Sequence, residues 1–309
     1  MLSDVDATLG HDLIVAKDDT SYSIIISLPG TDRMILHCPG ANHSFDSDDL
    51  PDSALEGTRI LHVGYLPLMR AMYQRNGESL KRLLLRAKSV GLATSLDTAY
   101  PGPGSDSQVS WLEVLKTVLP LVDFFLPSFD ELCIMLGANF PDSLARRDRV
   151  RQVAIETLAL GAQVVGIKLG EDGFYLRSTP RGSDSPLGNH LDIPISSWSQ
   201  RELWGSAFKA HVVGTTGAGD AAIAGFLAGL LHGMTPEGTL NAACAVGAAS
   251  VERADASSGI PNWEAIEARL RSGWDRAAPK LGADWREIEP GVWSGPDDHT
   301  SATSEVRKT

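Results

Sequence analysis

Val212-Val213-Gly214-Thr215-Thr216-Gly217-Ala218-Gly219-Asp220-Ala221 is the stretch on which the fold turns. A short segment, Phe208 to Val213, leads into a loop of Gly, Thr and Ala. The loop ends on an acid that opens a small-residue helix, Ala221-Ala222-Ile223-Ala224-Gly225-Phe226-Leu227-Ala228-Gly229-Leu230. Backbone N–H groups in a Gly-rich turn at a helix N-terminus form a site for an anion. Gly217 and Gly219 remove the Cβ atoms that would hold a phosphate away from those groups. The spacing from Gly214 to Gly219 mimics a phosphate-binding loop, but Asp220 stands where that loop has Lys, and Ala221 where it has Ser or Thr. A carboxylate cannot clamp a phosphate. It can take a proton from a hydroxyl about to attack one. An anion cradle with an acid beside it therefore reads as phosphoryl transfer to an alcohol, with Asp220 as general base. Two other readings compete. Gly217-Ala218-Gly219-x-x-Ala222 also fits a dinucleotide-binding turn, which would open the first βαβ unit and be followed by an acid about 20 residues on. Here the loop comes late, and Thr239 to Ser250 carries no acid. The third reading is a purely structural Gly turn.

Thr215-Thr216-Gly217-Ala218-Gly219-Asp220 resembles the second signature, D-T-x-G-A-G-D, of the ribokinase-like (PfkB) carbohydrate kinases. Other segments agree in order and distance. Asp123-Phe124-Phe125-Leu126-Pro127-Ser128-Phe129-Asp130-Glu131 is similar to a strand followed by N-x-x-E. Val165 to Leu176, with Lys168, Gly170 and Gly173, is similar to the T-x-G-x-x-G nucleotide hairpin. Asp32 to Asn42 resembles the lid-strand segment ending in G-A-N. The resemblance spans about residues 5 to 265. It implies an α/β, three-layer, parallel-sheet ribokinase-like domain over 1–294, with a small β lid at about 15–40. It implies ATP and Mg²⁺ as cofactors, a sugar or nucleoside as acceptor, and a homodimer paired through the lids. On this basis Ser128, Glu131, Lys168, Gly170, Gly173, Thr215, Thr216, Ala243 and Gly247 hold the nucleotide, with Glu131 orienting Mg²⁺ through water. Gly217, Ala218, Gly219 and Asp220 perform the transfer. Asn42, Tyr65, Asp97 and Asp220 face the acceptor.

Three departures stand out. No strand with a sugar-binding Asp and no G-G-x-x-x-N segment opens the chain, so the sequence is expected to begin inside the fold. Gly214 replaces the Asp that helps bind a monovalent cation. Ser128 replaces Asn, keeping a hydrogen-bonding oxygen with shorter reach. The first departure leaves a second hypothesis open, a non-catalytic nucleotide-binding remnant or regulatory protein; within the kinases, a nucleoside kinase is the alternative to a sugar kinase.

Composition fits a cytoplasmic globular enzyme. The chain has 309 residues, 43% hydrophobic and 21% charged, and a net charge of −12. That length buries a large core in one α/β domain. The negative charge argues against nucleic acid or an anionic membrane as partner and favours a neutral acceptor. Cys38, Cys133 and Cys244 form no C-x-x-C pair, so reduced core thiols are expected. No apolar run approaches the roughly 18 residues of a membrane span.

Along the chain, Thr20 to Leu28 and Arg33 to Cys38 flank the turn Pro29-Gly30-Thr31-Asp32 and predict a hairpin. Arg59 to Gly64 reads as the first buried strand of the main sheet. Glu78 to Ser89, Trp111 to Leu119, Phe129 to Leu136 and Ser143 to Leu160 read as helices. Leu92 to Leu96, Asp123 to Leu126, Gln163 to Leu169, Phe174 to Arg177 and Asn189 to Ile195 read as strands. Thr235 caps a helix beginning with Pro236 and running to about Arg253. Trp263, Trp274, Trp285 and Trp293 are expected to fix the C-terminal region to the core. A tail over 295–309, rich in Ser, Thr and Asp, is expected to be disordered. Each site residue also has a structural reading. Glu131 as a first-turn acid favours a helix N-terminus. Lys168 is a solvated strand end, Asn42 and Asp97 cap turns, and Ala243 and Gly247 pack helices.

Overall fold

Strand residues alternate between two cores, and that alternation builds the architecture. A computed structural model describes residues 16–26, 34–102, 108–180 and 191–299. Its main sheet has eight strands: β3 (Ile60–Val63), β4 (Ala93–Leu96), β5 (Phe124–Phe125), β6 (Val164–Lys168), β7 (Phe174–Ser178), β8 (Glu202–Gly205), β9 (Arg286–Glu289) and β10 (Val292–Ser294). They run in the order β3-β4-β5-β6-β7-β8-β10-β9. The pairs from β3 to β6 are parallel, and those from β6 to β9 are antiparallel. The expected parallel sheet thus occupies one half, and two hairpins complete the other.

Seven helices lie on this sheet among the described residues: α1 (Arg70–Ser89), α2 (Trp111–Val118), α3 (Phe129–Leu136), α4 (Arg146–Ala159), α5 (Ala218–Leu231), α6 (Pro236–Ser250) and α7 (Trp263–Arg271). Phe125, Val165, Ile167, Tyr175 and Trp204 join the core formed with Leu80 and Leu84 of α1, Leu115 of α2, Leu132 of α3 and Val153 of α4. Their neighbours Phe124, Val164, Phe174, Leu176 and Leu203 join Ile223 and Phe226 of α5, Leu240 and Ala243 of α6 and Ile266 of α7. Period-two alternation therefore sends successive side chains into opposite layers, giving a three-layer α/β domain. Central strands apolar on both faces are what a sheet covered on both sides demands.

A separate two-stranded sheet, β1 (Tyr22–Ile26) with β2 (Met34–Cys38), matches the predicted hairpin; its turn, 27–33, lies outside the described residues. At its base Gly40 takes φ +46°, and a Cβ there would stand 2.3 Å from the Asp19 carbonyl oxygen.

Several boundaries differ from expectation. α1 begins at Arg70 and breaks at Gln74–Gly77, where Arg75, Asn76 and Gly77 are left-handed. α4 begins at Arg146, not Ser143. Thr235 does cap α6, accepting from Gly238 N, but the helix stops at Ser250. The strand expected over Asn189 to Ile195 is absent from its described part: Asp192 is left-handed at φ +51°, Pro194 has no N–H for a ladder, and Ile195–Trp198 coils into a 3₁₀ turn. Residues 295–299 are not a free tail. Gly295 N donates to Glu202 O at 2.8 Å, and Asp298 accepts from Arg201 at 2.8 Å and from Glu202 N at 2.9 Å. Residues 300–309 lie outside the described part. Trp285 and Trp204 meet at 5.9 Å, Trp293 packs against the same core and Trp274 against the other, so three of the four C-terminal tryptophans anchor as expected.

Candidate active site

The parallel strands end together, and the loops after them converge on a cleft of about 910 Å³. α5 supplies its floor. Gly217, its N-cap at φ +77°, could carry no side chain: a Cβ would sit 2.6 Å from Ala256 Cβ and 2.9 Å from Ala256 Cα. The close turn places the first N–H groups of α5, which have no intrahelical acceptor, at the cleft. Gly214 is packed as tightly, since a Cβ there would lie 3.0–3.1 Å from backbone atoms of Arg253 and Ala254. A side chain at 214 would require that segment to give by a few tenths of an ångström.

Asp220 lies in the first turn of α5 and lines the cleft. The Tyr65 hydroxyl donates a hydrogen bond to its Oδ1. On the other side of the loop lies Lys168, at the end of β6. A Cβ on Gly219 would stand 3.8 Å from Lys168 Nζ. The Lys168 backbone N donates to Pro127 O at 2.9 Å, tying β6 to the loop after β5. Lys168 Nζ donates to Asp97 Oδ1 at 2.7 Å. Asp97 is 1% exposed and faces this amine rather than the cleft surface. Burial pushes its carboxyl up to about 7; the Lys168 charge opposes the shift and Glu131 adds to it.

Glu131, in the first turn of α3, accepts from Ser128 N and from Thr98 Oγ1, both at 3.0 Å. The reciprocal arrangement with Ser128 is a capping box, so the structural reading of Glu131 holds, and the same carboxylate also lines the cleft. Gly170, at φ +60°, and Gly173, at φ +96°, bound the turn between β6 and β7 at the cleft wall. A Cβ on Gly173 would lie 2.0 Å from Gly205 O, so the hairpin closes only with glycine. Ala243, Cys244 and Gly247 of α6 form the small-residue wall opposite, and Gly247 also receives α5, with Ala222 Cβ 3.3 Å from where its Cβ would be.

The fold thus brings Tyr65, Ser128, Glu131, Lys168, Gly170, Gly173, Thr215, Gly217, Ala218, Gly219, Asp220, Ala243 and Gly247 to one cleft. Asn42 and Thr216 are not among the residues lining it, and Asp97 lies behind Lys168. Thr98, Arg146 and Phe208 line it without having been singled out in the sequence. Arg146 pairs with Asp172 at 3.1 Å and lies over the Phe129 ring. Phe208 sits between Trp274, at 4.6 Å, and the Arg276 guanidinium, at 3.8 Å. Thr98 follows Asp97 at a strand end and could have been found by position; Arg146 and Phe208 carry no local signal. Among the described residues no group of three His, Cys, Asp or Glu side chains is arranged to hold a metal ion. None of their helices is long and apolar enough to cross a membrane.

A carboxylate opening a helix beside a glycine turn, with a lysine across from it, is suited to phosphoryl transfer. The family model for pfkB family carbohydrate kinases matches residues 6–263, and the chain belongs to that family. An uncharacterized sugar kinase of Archaeoglobus fulgidus is 24% identical over 229 residues, 74% of this chain and 75% of that protein. An ATP-dependent 6-phosphofructokinase of Thermoanaerobacterium thermosaccharolyticum is 24% identical over 248 residues, 80% of this chain and 67% of the other. Among solved structures, Thermotoga maritima ribokinase aligns with a TM-score of 0.58 at 23% identity, covering 84% of this chain and 72% of that one. A putative ribokinase II of E. coli in complex with ATP and Mg²⁺ gives 0.58 at 17% identity, covering 83% and 72%. The ribokinase-like α/β fold is therefore established.

Proposed function

We propose that this chain transfers the γ-phosphoryl group of Mg·ATP to a hydroxyl of a sugar or sugar-like alcohol, with Asp220 as general base. The observation that carries the reading is the placement of Asp220: a carboxylate in the cleft, one residue from the Gly217–Gly219 turn and across that turn from Lys168. The residues fit the nucleotide. The N–H groups at the start of α5 and the Lys168 amine supply fixed positive charge where a transferred phosphoryl gathers negative charge. The wall of Ala243, Cys244 and Gly247 leaves room for a flat base. The fit to Mg²⁺ is of the kind that keeps water and phosphate ligands: Glu131 is the carboxylate beside Ser128, with no protein cage around it. When bound, the ion neutralises phosphate charge.

In this reading Asp220 accepts the proton of the acceptor hydroxyl as its oxygen forms a bond to Pγ. The bond from Pγ to the bridging oxygen breaks, and its electron pair leaves on ADP. Lys168 and the α5 amides stabilise the charge on the group in transit. Similar proteins are named a 6-phosphofructokinase and a 2-dehydro-3-deoxygluconokinase, so fructose 6-phosphate and 2-dehydro-3-deoxygluconate belong in the acceptor panel beside ribose and nucleosides. The test is phosphoryl transfer from Mg·ATP across that panel. Asp220→Asn is expected to lower turnover by a factor on the order of 10² to 10⁴ while leaving the melting temperature nearly unchanged. Equal turnover in both forms removes Asp220 from the base role. Nucleotide binding with no transfer to any acceptor makes the chain a binding protein.

A further inference from the structure

Tyr65 is held in a conformation its residue type resists. It has φ +58° and ψ +57°, the left-handed region, where its Cβ crowds the backbone carbonyl oxygen that follows. The surroundings enforce it. β3 ends at Val63, and Leu66 and Pro67 are buried in a 3₁₀ turn whose Leu68 N donates to Tyr65 O at 2.8 Å. Backbone strain maintained beside a reactive group points to a task for the strained residue. Here the strain aims the ring at Asp220, 155 residues away in the chain, and the phenol donates to Oδ1. Burial first, then the hydrogen bond to Asp220 and the negative charges of Asp220, Asp97 and Glu131, hold that phenol well above its usual ionisation range. It is therefore a committed donor and no base. Tyr65 is 37% exposed and lines the cleft, where an acceptor can reach it.

We propose that Tyr65 is a specificity-determining residue that discriminates an alcohol acceptor from water, by occupying the base Asp220 with its own hydroxyl until an acceptor replaces it. The inference rests on the reading of Asp220 as general base. An acceptor with several contacts can use binding energy to displace the phenol, whereas a water molecule has none to use. In the reaction thereby suppressed, a water oxygen would bond to Pγ and the bond from Pγ to the bridging oxygen would break. ADP would leave with the electron pair, and the water proton would go to Asp220.

The experiment measures acceptor-free hydrolysis of Mg·ATP by the full chain, as wild type, Tyr65→Phe, Asp220→Asn and the double variant. Tyr65→Phe keeps the ring and deletes one hydrogen bond to a charged group, so hydrolysis is expected to rise about tenfold. The double variant is expected to return to the Asp220→Asn rate. Tyr65→Asn, which tolerates the left-handed backbone and cannot reach Asp220, is expected to behave as Tyr65→Phe does. Hydrolysis at or below the wild-type rate in both Tyr65 variants overturns the proposal. A readout without nucleotide accompanies it: phenol ionisation followed by ultraviolet absorbance, with the Tyr65 signal isolated by difference from Tyr65→Phe. Asp220→Asn is expected to move that ionisation to lower pH, and an unmoved signal overturns the contact. Failure of the kinase reading is seen separately, as wild-type and Asp220→Asn proteins with equal transfer across the acceptor panel.

Discussion

Lys168 lies beside Gly219 and pairs with Asp97, and Asp97 makes that pair sensitive to pH. Its carboxyl lies at about 7 in the folded chain against 3.8 for the free group, chiefly through burial. The charged groups facing it are Lys168 from β6 and Glu131 from α3. Because the folded value is the higher, folding takes up a proton between the two. The stabilisation this gives is complete below about 4 and is lost as pH rises through about 7. Asp97→Asn mimics the neutral acid at every pH. The melting temperature of wild type is thus expected to fall relative to that of Asp97→Asn as pH is raised from about 4 to about 8. Parallel curves would show that Lys168 keeps Asp97 charged throughout.

At the scale of elements, the β6–β7 turn shows how two glycines in one motif differ. Gly170 and Gly173 both have positive φ, but a Cβ on Gly170 meets nothing within 4 Å, whereas on Gly173 it meets Gly205 O at 2.0 Å. Gly170→Ala is expected to cost about 1 kcal/mol of backbone strain. Gly173→Ala adds overpacking against β8 and is expected to cost about 3 kcal/mol or more. Denaturant midpoints of the two variants measure the difference. The sequence showed the motif but not this asymmetry, because Gly205 is distant in the chain. The same limit governs the rest of the reading. The placement of Gly217, Gly219 and Asp220 at a helix start was legible because a glycine turn before a helix is local in sequence. α6 was legible because Thr235 and Pro236 mark its start. β9 escaped notice because Arg286-Glu287-Ile288-Glu289 is a charged edge strand, formed by pairing with β10 rather than by its own propensity. Asn189 to Ile195 was misread because Leu191 and Ile193 are buried, as a strand's residues would be, while Asp192 and Pro194 set a different backbone. The contact from Tyr65 to Asp220 joins two separate segments, and no local pattern announces it.

At the scale of the whole molecule, the β1–β2 hairpin stands out for its exposed apolar residues among the described residues. Ile24 pairs with Leu36 and Ile26 with Met34, so these apolar residues share one face, and all are exposed. An isolated two-stranded ribbon is marginal in water. The homodimer paired through the lids, which the family resemblance implies, would cover it with a second copy of this chain. Ile24→Lys with Leu36→Lys is expected to halve the molecular mass read by light scattering; an unchanged mass excludes this face as the interface. The opposite half of the sheet is closed by 295–299, held through Arg201, and carries a tryptophan at a telling position. Trp204 Nε1 donates to Asp172 O at 2.7 Å, in the turn that walls the cleft, and its ring stands 5.9 Å from those of Tyr175 and Trp285. Any displacement of that turn alters the dipole around the indole and its coupling to neighbouring rings. Occupancy of the cleft that moves this turn is therefore expected to change the Trp204 share of the ultraviolet emission, read as the difference between wild type and Trp204→Phe.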